Sequence, residues 1–177
     1  DGRDGDTATA YGTLVHILLE ELPPRPTAIW NIMADSLVSQ SILPPEMAET
    51  ARREALTVLH APDLAHVFHR DTLAEVPFVA RLGAQVLRGT IDRLIITPEQ
   101  IDIIDFKSNR VVPDEPSRVP DGLLRQMGAY AHAIAQIYPR HSIRCAILWT
   151  HTATLMPLPH DIVTQALADT PYLDASR

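Results

Sequence analysis

Cysteine and lysine are almost missing from this sequence of 177 residues. Its single cysteine, Cys145, excludes a disulfide framework, a four-cysteine zinc site and an iron–sulfur cluster held by this segment alone. Lysine also occurs once, at Lys107, among 15 cationic residues. Because arginine supplies the positive charge at the other 14 of these positions, the lone lysine suggests a position that requires a compact ammonium group instead of a planar guanidinium.

Long apolar runs and an excess of positive charge are absent as well. No run approaches the roughly 18 apolar residues of a membrane span, and from the polar residues 1–6 we expect no signal peptide. We therefore expect a cytoplasmic protein without a membrane partner. The net charge of −7 argues against nucleic-acid binding by bulk charge alone. No P-loop sequence is present, so this segment holds no P-loop ATPase site.

The order of the predicted elements indicates one mixed α+β domain. Hydrophobic residues make up 46% of the chain, which is enough for a substantial core. Apolar residues repeat with helical period in the first part, then with strand-like runs separated by short turns, and a long helix interrupts the strands. We predict a linker over 1–8 and a single domain over 9–177, made of a helical part at 9–70, a sheet core at 73–158 and a final helix at 160–169.

Turn positions determine the pairing within the first three predicted strands, which form an antiparallel meander. The turn before Ile101 places Asp92 directly opposite Asp105, and the turn before Gln85 places Glu75 opposite Asp92. Residues directly opposite one another point to the same face of a sheet. The register therefore predicts three carboxylates on one patch.

Lys107 lies two residues beyond Asp105 and is predicted to share that face. Opposed carboxylates repel, and a hard cation such as Mg²⁺ or Mn²⁺ removes the conflict. The alternative is a solvent-facing side of a hairpin with Lys107 as a surface counter-charge. Apolar residues on both faces of the strand argue against it, because they indicate a strand covered on both sides.

Five short motifs follow one another along the chain, and together they carry a resemblance. They are Gly12-Thr-Leu-Val-His16, Glu75-Val-Pro-Phe78, Gly89-Thr-Ile-Asp92-Arg93, Asp105-Phe-Lys107-Ser108 and Gln126-Met-Gly-Ala-Tyr130. This series resembles the RecB-type branch of the PD-(D/E)XK nucleases, above all the C-terminal nuclease domains of AddA-type helicase–nucleases. The resemblance implies a restriction-endonuclease-like fold with a central mixed sheet flanked by helices. Ser108 stands where threonine is commoner, and it keeps the hydroxyl group.

The resemblance also implies a metal site and a set of catalytic groups. Mg²⁺ is the implied cofactor, with Mn²⁺ as a substitute, and no iron–sulfur cluster is expected. The implied metal ligands are His16, Asp92, Asp105 and the backbone carbonyl of Phe106. The implied catalytic residues are Lys107, Asp105, Asp92, Glu75, Gln126 and Tyr130.

Several of these residues have an ordinary alternative. His16 could be a core histidine on an apolar helix, and Glu75 could bind through water, bind a second metal ion or orient Lys107. Gln126 and Tyr130, four residues apart on one helix face, could hold DNA or simply be surface and half-buried side chains. The nearby arginines could bind phosphates or form a solvated surface. These are Arg93, Arg110, Arg118 and Arg125.

The function that the resemblance implies is a Mg²⁺-dependent deoxyribonuclease, an exonuclease that processes DNA ends. Its implied context is an ATP-dependent helicase–nuclease in double-strand break repair by homologous recombination. The implied partners are single-stranded DNA ends, a helicase domain upstream in the same parent chain and an AddB-type subunit. Two alternatives are a catalytically inactive nuclease-like module for DNA binding or scaffolding, and an unrelated acidic interaction domain. Inactive copies usually lose an aspartate or the lysine, and this chain keeps them all.

Overall fold

A computed structural model describes residues 2–169 of the chain. Residues 170–177, which the prediction included in the domain, lie outside the described residues. No helix within the described range has both the length and the apolar character needed to cross a membrane.

The described elements are five α-helices and five β-strands, close to the predicted ones. The helices are α1 (Gly2–Glu21), α2 (Trp30–Ser39), α3 (Pro45–His60), α4 (Asp121–Ile137) and α5 (His160–Ala168). The strands are β1 (Leu73–Leu82), β2 (Gln85–Ile96), β3 (Gln100–Lys107), β4 (Ser142–Trp149) and β5 (Thr154–Leu158).

The largest difference from the predicted elements is at the start of the chain. Helix α1 begins at Gly2, so residues 2–8 are helical where a linker was predicted. Glycine and aspartate have low helix propensity, which is why composition alone indicated a linker.

One compact unit contains, of the described residues, 2–70, 106–110 and 149–154. Within it, α1 packs against α2 and α3 through an apolar face. Leu14, Leu18 and Leu19 on α1 are almost completely buried, as the helical period predicted. Small residues on α3, Ala51 and Ala55, are also fully buried and allow the two helices to approach closely.

The second compact unit contains, of the described residues, 71–105, 111–148 and 155–169, and it includes most of a five-stranded sheet. The strand order is β1-β2-β3-β4-β5. The pairs β1–β2 and β2–β3 are antiparallel, whereas β3 and β4 run parallel. Ser142 N–H donates to the Glu99 carbonyl and Thr150 N–H to the Lys107 carbonyl, and both pairs are 43 residues apart. Helix α4 provides the crossover that parallel strands require.

The predicted register of the meander is confirmed at both turns. Leu82 is opposite Gln85 in the first hairpin, and Ile96 is opposite Ile101 in the second. The β2–β3 pairing continues to Arg93 opposite Ile104. Asp92 and Asp105 are the next residues on their strands, so the sheet itself brings them next to one another.

Candidate active site

Two of the predicted ligands are buried carboxylates on neighbouring strands of the second unit. Asp92 on β2 is 9% exposed, and Asp105 on β3 is 4% exposed. Glu75 on β1 is half-buried. Carboxylates that are withdrawn from water and adjacent in a sheet carry both a desolvation penalty and mutual repulsion. Such an arrangement fits a site that holds a cation.

Glu75 has a backbone conformation that L-residues rarely adopt inside a strand. Its φ is 50°, in the left-handed region. The β1–β2 register continues on both sides of Glu75, from Ala74 opposite Arg93 to Val76 opposite Ile91. A non-glycine residue held in this conformation costs on the order of 1–3 kcal/mol and occurs mainly at functional sites. The local strain is of the kind found at functional sites, and the functional role of Glu75 stays a prediction.

Tyr130 on α4 lies within the electrostatic field of all three carboxylates. Burial raises the pKa of its phenol to about 12, and the charges of Asp105, Asp92 and, more weakly, Glu75 act in the same direction. Gln126 Nε2 donates a hydrogen bond to the Tyr130 hydroxyl over 2.9 Å, which opposes that rise. The phenol is therefore neutral at pH 7. Because its oxygen accepts from Gln126, its own hydrogen can point to another acceptor.

Gly89 on β2 has a specific packing role beside Tyr130. The rings of Phe78 and Tyr130 meet edge to face, with centroids 5.3 Å apart. A Cβ atom at position 89 would lie 2.9 Å from Phe78 Cε1 and 3.4 Å from Tyr130 Cε1. The motif glycine thus leaves space for the two rings, which position the phenol.

His16 and the Phe106 carbonyl, two further predicted ligands, are neighbours within the first unit. His16 Nε2 lies 3.0 Å from the Phe106 carbonyl oxygen. That distance suits a hydrogen bond, and a ring nitrogen and a carbonyl oxygen this close together could also hold one cation. Gly12, one turn earlier on α1, faces Ser108, whose Oγ would lie 3.0 Å from an added Cβ. The motif glycine therefore allows α1 to approach the segment that carries Phe106 and Lys107.

A buried network at Glu54 was missed by the sequence reasoning. The Glu54 side chain is 7% exposed and accepts hydrogen bonds of 2.6 Å from the Tyr11 hydroxyl and from Thr150 Oγ1. Burial and the Glu54 carboxylate raise the pKa of Tyr11. The Thr150 N–H donates to the Lys107 carbonyl over 2.9 Å, so the network anchors the backbone of the predicted catalytic lysine. One signal was available, since Glu54 is three residues after the inward-facing Ala51.

The predicted DNA-binding arginines differ in their surroundings. Arg93 is 4% exposed, and its guanidinium donates to Thr72 Oγ1 over 3.3 Å. Arg110 is exposed, and Arg125 is half-buried with Nε donating to the carbonyl of its own helix at Asp121. Arg118 is exposed and forms ion pairs with acidic neighbours. Arg110 and Arg125 are thus the more accessible members of the predicted set.

Comparison with known proteins identifies the family. The model of the PD-(D/E)XK nuclease superfamily matches residues 1–169. The chain belongs to the PD-(D/E)XK nuclease superfamily. Its mixed five-stranded sheet with flanking helices is the restriction-endonuclease-like fold, which confirms the predicted fold class.

A solved structure has the same fold. The crystal structure of a candidate exonuclease from Eubacterium rectale is similar, with a TM-score of 0.61 and 11% sequence identity. The match covers 94% of this chain and 66% of that one, so this chain spans just under two thirds of its neighbour's length. No curated protein sequence matches the chain.

Proposed function

We propose that this PD-(D/E)XK domain is a metal-dependent deoxyribonuclease that hydrolyses phosphodiester bonds at DNA ends. The observation that carries the proposal is the pair of buried carboxylates, Asp92 on β2 and Asp105 on β3, which follow directly on the paired residues Arg93 and Ile104. A chain that kept this fold for scaffolding alone would gain stability by replacing them. The retained Lys107 supports the same conclusion.

The donor atoms fit a hard divalent cation, Mg²⁺ or Mn²⁺. Carboxylate and carbonyl oxygens are the ligands that these ions prefer, and histidine is acceptable to Mn²⁺. Asp92 and Asp105 would hold the ion, and the Phe106 carbonyl and His16 remain the further predicted ligands. When bound, the ion supplies an activated water and neutralises charge on the scissile phosphate.

The remaining site residues have roles that follow from their chemistry. Lys107 would position the attacking water and stabilise the negative charge that develops on the phosphate oxygens. The neutral Tyr130 hydroxyl, fixed by Gln126, would donate to a phosphate oxygen. Glu75 would bind through water, bind a second ion or orient Lys107. Arg110 and Arg125 would contact flanking phosphates, and Arg93, being buried, would act mainly by holding β2 in place.

We also propose the wider context that the motif series supports. In that context the domain belongs to an AddA-type, ATP-dependent helicase–nuclease that acts in the cytoplasm in double-strand break repair by homologous recombination. A helicase domain of the same parent chain would deliver single-stranded ends, and an AddB-type subunit would be the protein partner. The order and spacing of the five motifs are the support for this part of the proposal.

The test compares the two predicted ligand aspartates with a third aspartate of the same sheet. Asp105→Asn and Asp92→Asn should abolish single-turnover cleavage of end-labelled single-stranded DNA in Mg²⁺ or Mn²⁺. Asp102→Asn is the matched control, because Asp102 lies on the same strand as Asp105 but pairs with Arg144 over 2.8 Å. The control should cleave at the unaltered rate. Normal cleavage by Asp105→Asn would overturn the proposal.

A further inference from the structure

The β1–β2 hairpin has one face that is entirely exposed. We call it the outer hairpin face, and it consists of Pro77, Val79 and Arg81 on β1 with Val86, Arg88 and Thr90 on β2. Val79 and Val86 are 56% and 54% exposed, which is unusual for a strand next to a core. An exposed sheet face with apolar side chains is a candidate surface for a partner.

The opposite face of the same hairpin is covered within the second unit. Phe78 and Ala80 are buried. Gly89 packs under two rings, that of Phe78 on β1 and that of Tyr130 on α4. Helix α4 also fixes the end of β1, where Gln136 Nε2 donates to the Arg81 carbonyl. Helix α4 thus packs against one face of the hairpin, and the other face is accessible to solvent.

The charge of the hairpin contrasts with the acidic chain. Residues 76–91 contain two arginines and neither aspartate nor glutamate, although the chain has 22 acidic residues. Among the residues whose side chains the structure describes, no carboxylate forms an ion pair with Arg81 or Arg88. Arg118 and Arg144, by comparison, are neutralised by carboxylates within 3.4 Å. The outer hairpin face therefore keeps its positive charge.

The two arginines are diagonal neighbours. Arg81 is opposite Val86, and Val79 is opposite Arg88. Diagonal Cβ atoms on one sheet face are about 7–8 Å apart. Each guanidinium thus has a valine beside it, which combines a phosphate-binding group with an apolar contact surface.

The outer hairpin face leads along β2 toward the buried carboxylate Asp92. Side chains alternate along a strand, so Arg88, Thr90 and Asp92 point to one face of β2. At about 3.3 Å per residue, Arg88 lies roughly 13 Å from Asp92 along β2. Arg81 is opposite Val86, which lies roughly 20 Å from Asp92 along the same strand. A polymer with phosphates along its length could contact the arginines while one phosphate lies at Asp92.

We propose that the outer hairpin face binds single-stranded DNA beyond the scissile phosphate, with Arg81 and Arg88 contacting successive parts of its backbone. The inference rests on the proposed nuclease function, because the scissile phosphate at Asp92 defines where the bound part of the DNA begins. A narrow two-stranded ribbon with two charges and two valines suits one flexible strand, whose unpaired bases can contact the apolar side chains.

The experiment measures DNA binding and small-substrate hydrolysis separately. Binding of a fluorescent single-stranded oligonucleotide is measured by anisotropy over a range of salt concentrations. Hydrolysis of a nitrophenyl phosphodiester, which is too small to reach Arg88, is measured in Mn²⁺. The variants are the double substitution Arg81→Gln with Arg88→Gln, its lysine counterpart, and Arg140→Gln as an exposed-arginine control.

The glutamine variant should bind the oligonucleotide more weakly. Its plot of log affinity against log salt should become shallower by about 1.4, the value for two lost phosphate contacts on a single strand. Its hydrolysis of the small ester should be unchanged. The lysine variant should keep most of the slope, because it keeps both charges, and Arg140→Gln should match the unaltered protein.

An unchanged salt slope in the glutamine variant would overturn the inference, as would undetectable binding by the unaltered protein at low salt. An equal loss on the small ester would also overturn it, because the effect would then be a general disturbance of the site. A change confined to duplex DNA would show that a duplex, and not a single strand, occupies the face. If the unaltered protein hydrolyses neither substrate, the proposed nuclease function fails, while the salt slope still decides whether the face binds DNA.

Discussion

At the scale of single residues, a substitution at Lys107 can separate a catalytic role of its ammonium group from a role as a simple counter-ion. Every other cationic residue of the chain is an arginine, so an arginine would serve here if only a counter-ion to the carboxylates were needed. Its backbone carbonyl is held by Thr150, which is itself fixed to the buried Glu54. A lysine anchored in this way is suited to placing its ammonium group at one defined point.

Lys107→Arg should therefore bind Mn²⁺ with near-native affinity and cleave single-stranded DNA at least ~10²-fold more slowly. The reason is that a misplacement of about 1 Å in a positioned group costs about that factor. Calorimetric Mn²⁺ titration beside single-turnover cleavage measures both quantities. Loss of both together would mean that Lys107 shapes the metal site, and loss of neither would make it an ordinary surface lysine.

Repulsion between Asp92 and Asp105 gives a second residue-scale prediction. In the absence of divalent ions, Asp105→Asn should leave the fold intact and raise the free energy of unfolding by about 1 kcal/mol, because one of two neighbouring charges is removed. Urea unfolding in EDTA measures this change. Asp102→Asn, which breaks the pair with Arg144, should show no such gain. A less stable Asp105→Asn would contradict this account of the pair.

At the scale of elements, the packing of the Phe78 ring of β1 over β2 depends on the absence of a side chain at Gly89. Gly89→Ala should destabilise the protein by roughly 1–3 kcal/mol, because its Cβ would meet the Phe78 ring at 2.9 Å. Gly122→Ala on α4 is the matched control, since an added Cβ there meets nothing within 4 Å and alanine favours a helix. Thermal unfolding of both variants tests the point, and equal stability of the two would refute it.

The only cysteine of the chain, Cys145, lies on β4, and its thiol reports how well this strand is buried. Burial, assisted by Asp102, raises the pKa of Cys145 to about 12 from an ordinary value of 9.0. Because the folded thiol holds its proton more tightly than the unfolded one, its contribution to stability is complete below pH 9 and is lost as the pH rises toward 12. At pH 8 a thiol reagent should label Cys145 only after denaturation. Rapid labelling of the native protein would show that β4 is not covered.

The meander shows which elements the sequence could predict. Its register followed from turn positions alone, because both hairpins have short connections and uninterrupted pairing around them. The left-handed conformation of Glu75 could not be predicted, since it depends on the surroundings of one residue within a regular strand. The Glu54 network was equally hidden, because it joins Tyr11, Glu54 and Thr150 from distant parts of the chain.

At the scale of the whole molecule, the acidic charge and the local basic hairpin have to be considered together. A net charge of −7 disfavours binding to a polyanion, so affinity for DNA has to come from local contacts and from bound cations. Binding by this domain alone should therefore be weak and strongly dependent on salt. Cleavage is best measured with protein in excess over DNA, so that weak affinity does not mask the chemical step.

Metal dependence is the most direct test of the central claim that this domain is a metal-dependent nuclease. Protein stripped with EDTA is mixed in excess with end-labelled single-stranded DNA, and Mg²⁺ or Mn²⁺ is then restored. We expect no cleavage before addition and cleavage after it, with Asp105→Asn inactive throughout. Cleavage that persists in EDTA, or that no concentration of either ion produces, would contradict the account.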